Sequence, residues 1–142
     1  MSREILFRGK TVAGAWVYGG IAFQEDSDVV IVGALDKYQS IYDMGIKSEY
    51  VIPETVGQFT GLTDKNGKRI FEGDIHERKN HFFIVKHGEY RDCETNEDGY
   101  GWYFKYAHSR DCEGFNGREE EYVNIIGNIH DNPELLKGGE GE

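Results

Sequence analysis

Short apolar runs separated by glycine-bearing turns organise this chain; no long stretch carries a helical period. Ile5 and Phe7 alternate imperfectly with Glu4, Leu6 and Arg8, which predicts a short strand ending at Gly9. Lys10 to Gly14 reads as a turn, Ala15-Trp16-Val17-Tyr18 as the second arm of a hairpin, and Gly19-Gly20 as its interruption. The Val-Val-Ile-Val run between Asp28 and Gly33 suits a strand buried on both faces. Lys37 to Tyr50 fits either a short helix or an irregular edge. Tyr50-Val51-Ile52 and Thr55 to Phe59 read as extended, broken at Pro53.

The second half repeats this grammar. Asn66-Gly67 tolerates positive φ and predicts a reversal between Gly61-Leu62 and Arg69-Ile70-Phe71. Glu72-Gly73-Asp74 predicts a second reversal that launches a strand from about Ile75. His81 to His87 and Tyr100 to Ala107 read as strands, with Gly88 to Gly99 and Ser109 to Glu120 as polar loops. Tyr122 to Ile129 closes the series of strands. Asn132-Pro133-Glu134 has an N-cap, a proline at the first helical position and an acid in the first turn, so one short C-terminal helical turn is expected. Residues 138–142 are expected to be disordered. The expected class is all-β with minor α, a small barrel or sandwich.

Composition narrows the function classes. The net charge of −10 divides into −3 for residues 1–75 and −7 for residues 76–142. Such a surface repels phosphate backbones, which makes nucleic acid an unfavourable partner. No apolar run has a membrane-spanning length, and the N-terminus lacks the apolar core of a signal peptide. Two cysteines, Cys93 and Cys112, do not make a disulfide framework. A cytoplasmic chain with reduced thiols is the expectation.

The stretch Thr55 to Ile75, Thr-Val-Gly-Gln-Phe-Thr-Gly-Leu-Thr-Asp-Lys-Asn-Gly-Lys-Arg-Ile-Phe-Glu-Gly-Asp-Ile, closely resembles the central signature of the YopX family of phage and prophage proteins. Phe7-Arg8-Gly9 with Trp16-Val17-Tyr18-Gly19 agrees near the start, and Ile126-Gly127-Asn128-Ile129-His130 with Asn132 to Leu136 near the end. The resemblance implies a single domain over 1–137, with an N-terminal β segment over about 1–52 and an SH3-type barrel over about 53–130. It implies a phage or prophage origin. It transfers no reaction, because the family has no established catalytic function.

Four constellations carry candidate chemistry. Glu72, Asp74 and His76, joined by Asp64, could hold a divalent metal on one strand face and serve a metal-dependent hydrolase. Against this, carboxylates beside turn glycines commonly cap backbone amides. Cys93, His108 and Cys112, with His87, offer soft ligands for zinc but lack paired Cys-x2-Cys spacing. Ser109 beside His108 lacks a nucleophile elbow. Tyr100, Trp102, Phe104 and Tyr106 put four aromatics at period two, a stacking face if exposed and a core if buried. The expectation from residues alone is a non-enzymatic interaction module that uses no cofactor and binds a protein partner or itself through open strand edges. An acidic mimic of nucleic acid is a further alternative.

Overall fold

A computed structural model describes residues 5–24, 28–32 and 48–137. The expected disordered tail and most of the Lys37 to Tyr50 segment lie outside the described residues. The chain divides into two compact units, Met1–Phe59 and Thr60–Glu142.

In the first unit, β1 (Phe7–Lys10), β2 (Trp16–Phe23), β3 (Val29–Val32) and β4 (Ser48–Val51) pair antiparallel in the order β4-β3-β2-β1. The far side of β1 pairs with the start of β5 (Gly57–Thr63), where Phe7 faces Gln58 and Arg8 faces Gly57. The hairpin expected at Lys10 to Gly14 is present, closed by a 2.8 Å bond from Thr11 N–H to the Ala15 carbonyl. Gly19-Gly20 does not interrupt β2. The two glycines mark a change of partner, since Phe7 pairs with Gly19 on one side and Gly20 with Val32 on the other. Pro53 breaks the extended chain as expected, turning it through a 3-10 segment, Pro53–Thr55. The Val-Val-Ile-Val run is a central strand, and Val29, Ile31 and Val51 form the core with Phe7, Val17, Ile21 and Val56 packed on it.

The division falls inside β5, whose second half pairs with β6 (Arg69–Phe71). Their loop is the reversal expected at Asn66-Gly67. Asp64 N–H bonds the Lys68 carbonyl at 2.7 Å, and Gly67 takes φ +83 as the left-handed residue of a bulged hairpin. The second sheet comprises β7 (Asp74–Arg78), β8 (His81–Arg91), β9 (Asp98–Tyr106), β10 (Cys112–Gly114) and β11 (Ile125–Asn128), in the order β10-β9-β8-β7-β11. A two-residue turn joins β7 to β8, with Lys79 at φ 52 and Asn80 at φ 69, the primed geometry that matches strand twist. Ile70, Phe83, Val85, Phe104, Val123 and Ile125 form the core of this unit.

Among the described residues neither sheet closes on itself, so the chain is mostly β in two open antiparallel sheets, and the closure expected of an SH3-type barrel is not observed. Strand β10 falls in the expected Ser109 to Glu120 loop, and a single helical turn, α1 (Glu119–Tyr122), begins at the loop's end and takes up Tyr122, which was expected to start a strand. The C-terminal turn forms as a 3-10 segment, Pro133–Leu136, with no side-chain cap from Asn132. The Asn132 Oδ1 instead accepts the Asn128 N–H at 3.2 Å, tying the turn back to the end of β11.

Candidate functional site: an acidic, aromatic-walled cleft

The carboxylates singled out for metal chemistry hold the backbone. Asp64 is buried and accepts N–H bonds from Asn66 (2.9 Å), Lys68 (2.9 Å) and Ile125 (3.1 Å), so it closes its own turn and anchors the start of β11. Asp74 is buried and accepts the Phe71 N–H at 2.7 Å across the Gly73 turn. Glu72 lies exposed at that turn. His76 is buried on β7, where its Nδ1 accepts the Asn124 N–H at 2.9 Å. Among the described residues no group of three or more His, Cys, Asp or Glu side chains could hold a metal ion. The Asp64, Glu72, Asp74 and His76 cluster therefore does not form, and the hydrolase built on it loses its site. Turn geometry consumes these side chains one at a time.

The thiol–imidazole set comes together only in part. The Cys93 N–H donates to the Cys112 carbonyl at 2.8 Å. His108 packs edge-on to Tyr106, and His87 lies between Tyr100 and Trp102. The zinc set therefore does not assemble among the described residues; only the backbones of the two cysteines meet. The Ser109 hydroxyl accepts the Asp111 N–H at 3.1 Å in a tight turn.

The aromatic row splits along β9. Phe104 is fully buried, Trp102 and Tyr106 pack against it as partly buried neighbours, and Tyr100 is 73% exposed. Three of the four side chains are packing. The change occurs at Gly88 and Gly101, which face each other across the hairpin at φ +142 and +144, values that an L side chain rarely adopts. Before this pair β8 buries Phe83 and Val85; beyond it Glu89 and Arg91 are exposed.

Past the glycine pair, the hairpin and its neighbours enclose a cleft of about 580 Å³. Tyr90, Phe115 and Tyr122 supply aromatic walls, and among the described residues the charged lining is Asp92, Glu94, Glu113 and one cation, Arg78. Tyr90 stacks on Tyr103 with 4.9 Å between centroids. Its ring fits because Gly99 and Gly114 have no side chains: a Cβ on Gly99 would stand 2.6 Å from the phenol, and one on Gly114 would strike the hydroxyl. Phe115 stacks on Phe104 at 4.5 Å, which joins the cleft to the core.

The charges are fixed in place. The Asp92 Oδ1 accepts the N–H groups of Glu94 (2.8 Å) and Thr95 (3.1 Å), and its Oδ2 accepts that of Gly114 (3.0 Å). The Gly114 and Thr95 bonds hold the Asp92 carboxyl below its ordinary pKa, so it stays ionised. Glu113 pairs with Arg78 at 3.5 Å, and the Arg78 guanidinium lies over the Phe83 ring at 5.0 Å. Burial, followed by the negative charges of Glu119 and Glu113, pushes the Tyr122 phenol up to about 12, which keeps it neutral. Glu119 is buried at the start of α1 and accepts the Asn116 (2.6 Å) and Gly117 (3.0 Å) N–H groups, shaping the loop that carries Phe115.

These residues were not singled out by sequence. Asp92 had a local signal: an Asp followed by Thr95 and Asn96 suits a side chain bonding its own turn. Tyr90, Tyr122 and Glu119 had none, because their roles depend on partners distant in the chain. No helix among the described residues is long and apolar enough to cross a membrane.

A search of curated proteins finds no match to this sequence. The sequence model of the family described as YopX protein matches residues 7–137, nearly the whole chain, and the protein therefore belongs to the YopX family.

Proposed function

We propose that this protein is a non-enzymatic interaction module of phage or prophage origin, and that its cleft receives a basic side chain, arginine or lysine, from a protein partner. The observation that carries the reading is the lining of the cleft: three carboxylates against one guanidinium, between aromatic walls. A guanidinium or ammonium entering there gains charge pairing with Asp92 and Glu94 and cation–π contact with the rings of Tyr90, Phe115 and Tyr122. The aromatic walls distinguish this site from an acidic surface that only keeps a protein soluble. A chain of net charge −10 also attracts basic partners over distance.

The direct test titrates an arginine-containing peptide into the full chain by calorimetry, at two salt concentrations, with Glu94→Lys as the comparison. Glu94 stands on the exposed rim, so the reversal changes charge without opening the core. Binding that weakens with salt and falls at least several-fold in the variant supports the assignment. Equal binding by both proteins, or no binding by either, rejects the cleft as the site.

A further inference from the structure

A second, smaller cavity of about 170 Å³ adjoins the cleft and shares Arg78 and Glu113 with it. The strand register shows how it forms. Arg78 faces His81 and His76 faces Phe83 between β7 and β8; Phe83 faces Tyr106 across the β8–β9 hairpin, and Phe104 faces Glu113 between β9 and β10. Directly paired residues share a face of the sheet, as do residues two apart on one strand. Arg78, His81, Phe83, Phe104, Tyr106 and Glu113 therefore project from one side, and all six line the cavity.

Its base is aromatic. Phe83 and Phe104 are buried and meet edge to face, 6.3 Å apart at 72°, and the Tyr106 ring lies 5.3 Å from that of Phe83. A hydrogen bond joins the Tyr106 hydroxyl to His81 Nδ1, and the His81 ring stands edge-on to Tyr106, which fixes that side of the mouth. The rim is mixed in sign: the Arg78 guanidinium, over the Phe83 ring, stands against Glu113 and Asp111. Neither an anion nor a second cation finds a rim of purely opposite charge there, whereas a neutral ring meets no such conflict. Size agrees. A benzene ring occupies an apolar cavity of about 150 Å³, so 170 Å³ holds one six-membered ring and its methylene but not an indole.

We infer that this cavity takes the ring of a phenylalanine or tyrosine from the same partner whose basic side chain enters the cleft. The inference rests on that reading of the cleft and extends it to a motif, one basic and one aromatic residue close together in sequence. The shared Arg78–Glu113 pair is the partition, and the two side chains enter on either side of it. The inserted ring gains edge-to-face contact with Phe83 and Tyr106 and cation–π contact with Arg78, neither of which a saturated ring of the same size can make.

The test titrates peptides into the full chain by calorimetry. Each carries one arginine in a Gly-Ser background, with phenylalanine one, two or three residues away on either side, and with alanine or cyclohexylalanine replacing it. At one spacing phenylalanine should tighten binding about fivefold or more over alanine, with cyclohexylalanine falling short of it. Intermolecular NOEs should then run from the peptide ring to Phe83 and Tyr106. No gain over alanine at any spacing, an equal gain from cyclohexylalanine, or NOEs that place the ring elsewhere overturns the assignment. A neutral probe, N-acetyl-phenylalanine amide, separates the two readings. NOEs from the probe to Phe83 and Tyr106 while no arginine peptide binds reject the basic-side-chain reading alone. Binding of the alanine peptide while the probe gives no NOE in the cavity rejects the aromatic pocket alone.

Discussion

Lowering the pH through the range in which histidine ordinarily titrates should destabilise this protein through His76. The imidazole is 1% exposed and ringed by Phe83, Phe104 and Tyr122, with centroids at 5.6, 5.1 and 5.9 Å. Its Nδ1 accepts the Asn124 N–H, which places the proton on Nε2, a buried nitrogen with no hydrogen-bond partner among the described residues. Burial lowers the pKa from 6.5 to about 4; Arg78 and Lys65 push the same way, against the Asn124 bond and Asp64. The unfolded chain therefore takes up a proton on this residue before the folded chain does. The stability contributed by the neutral ring is complete above pH 6.5 and is lost as pH falls toward 4. From the two pKa values the loss is about 2 kcal/mol at pH 5 and about 3 kcal/mol at pH 4. Urea unfolding between pH 4 and 7.5 measures it, with His76→Gln as the reference, since the glutamine oxygen can still accept the Asn124 N–H. Carboxylates titrate alike in both proteins and cancel in the difference. The wild-type curve should fall away from the variant's by that amount between pH 6.5 and 4. Parallel curves would show that the folded-state imidazole is not shielded from protonation, and the reasoning would fail.

Asp64→Ala removes the acceptor for three backbone N–H groups, one of them on the buried Ile125, and should cost roughly 2–4 kcal/mol by urea unfolding. Asp64→Asn, which keeps one oxygen, should recover part of that loss. Gly67→Ala meets no atom of the described residues within 4 Å but must adopt φ +83, so a backbone cost of about 1–2 kcal/mol is expected, less for Gly67→Asn. Gly114→Ala drives a methyl into the Tyr90 hydroxyl. It should cost roughly 1–3 kcal/mol and abolish binding of the arginine peptide, both measurable on one purified sample.

Local chemistry was legible and distant partnership was not. Asn66-Gly67 and Gly73 carry their conformation within a few residues, so the sequence locates both reversals and the strands on either side. Lys79-Asn80 makes an equally tight turn but carries no glycine, and only the spacing between Ile75 and the His81 strand hints at it. Gly19-Gly20 looks like a break because strand propensity counts side chains, whereas β2 is held there by pairing on both edges. The even spacing of Tyr100, Trp102, Phe104 and Tyr106 shows that they share a face but not that Tyr100 leaves the core beyond the Gly88–Gly101 pair. The metal cluster fails for a related reason. Spacing along a strand says which side chains could converge; the turn glycines beside Asp64 and Asp74 already argued for capture by backbone amides, and the structure identifies which amides those are.

The position of the cleft follows from the length of the β8–β9 hairpin. Beyond Gly88 and Gly101 the hairpin extends past the apolar core, so its far end must be held by other means. Tyr90 lying over Tyr103, Gly99 and Gly114 is one; Asp92 bonded to Gly114 is another. These side chains line the cleft because they hold its walls up. Substituting Tyr90 or Asp92 would therefore remove structure and ligand contacts together, and a loss of binding could not be assigned to either. Glu94 differs. It lies on the rim, and among the described residues its carboxylate supports none of these bonds. A charge reversal there that weakens the peptide while leaving the melting temperature unchanged separates recognition from scaffolding.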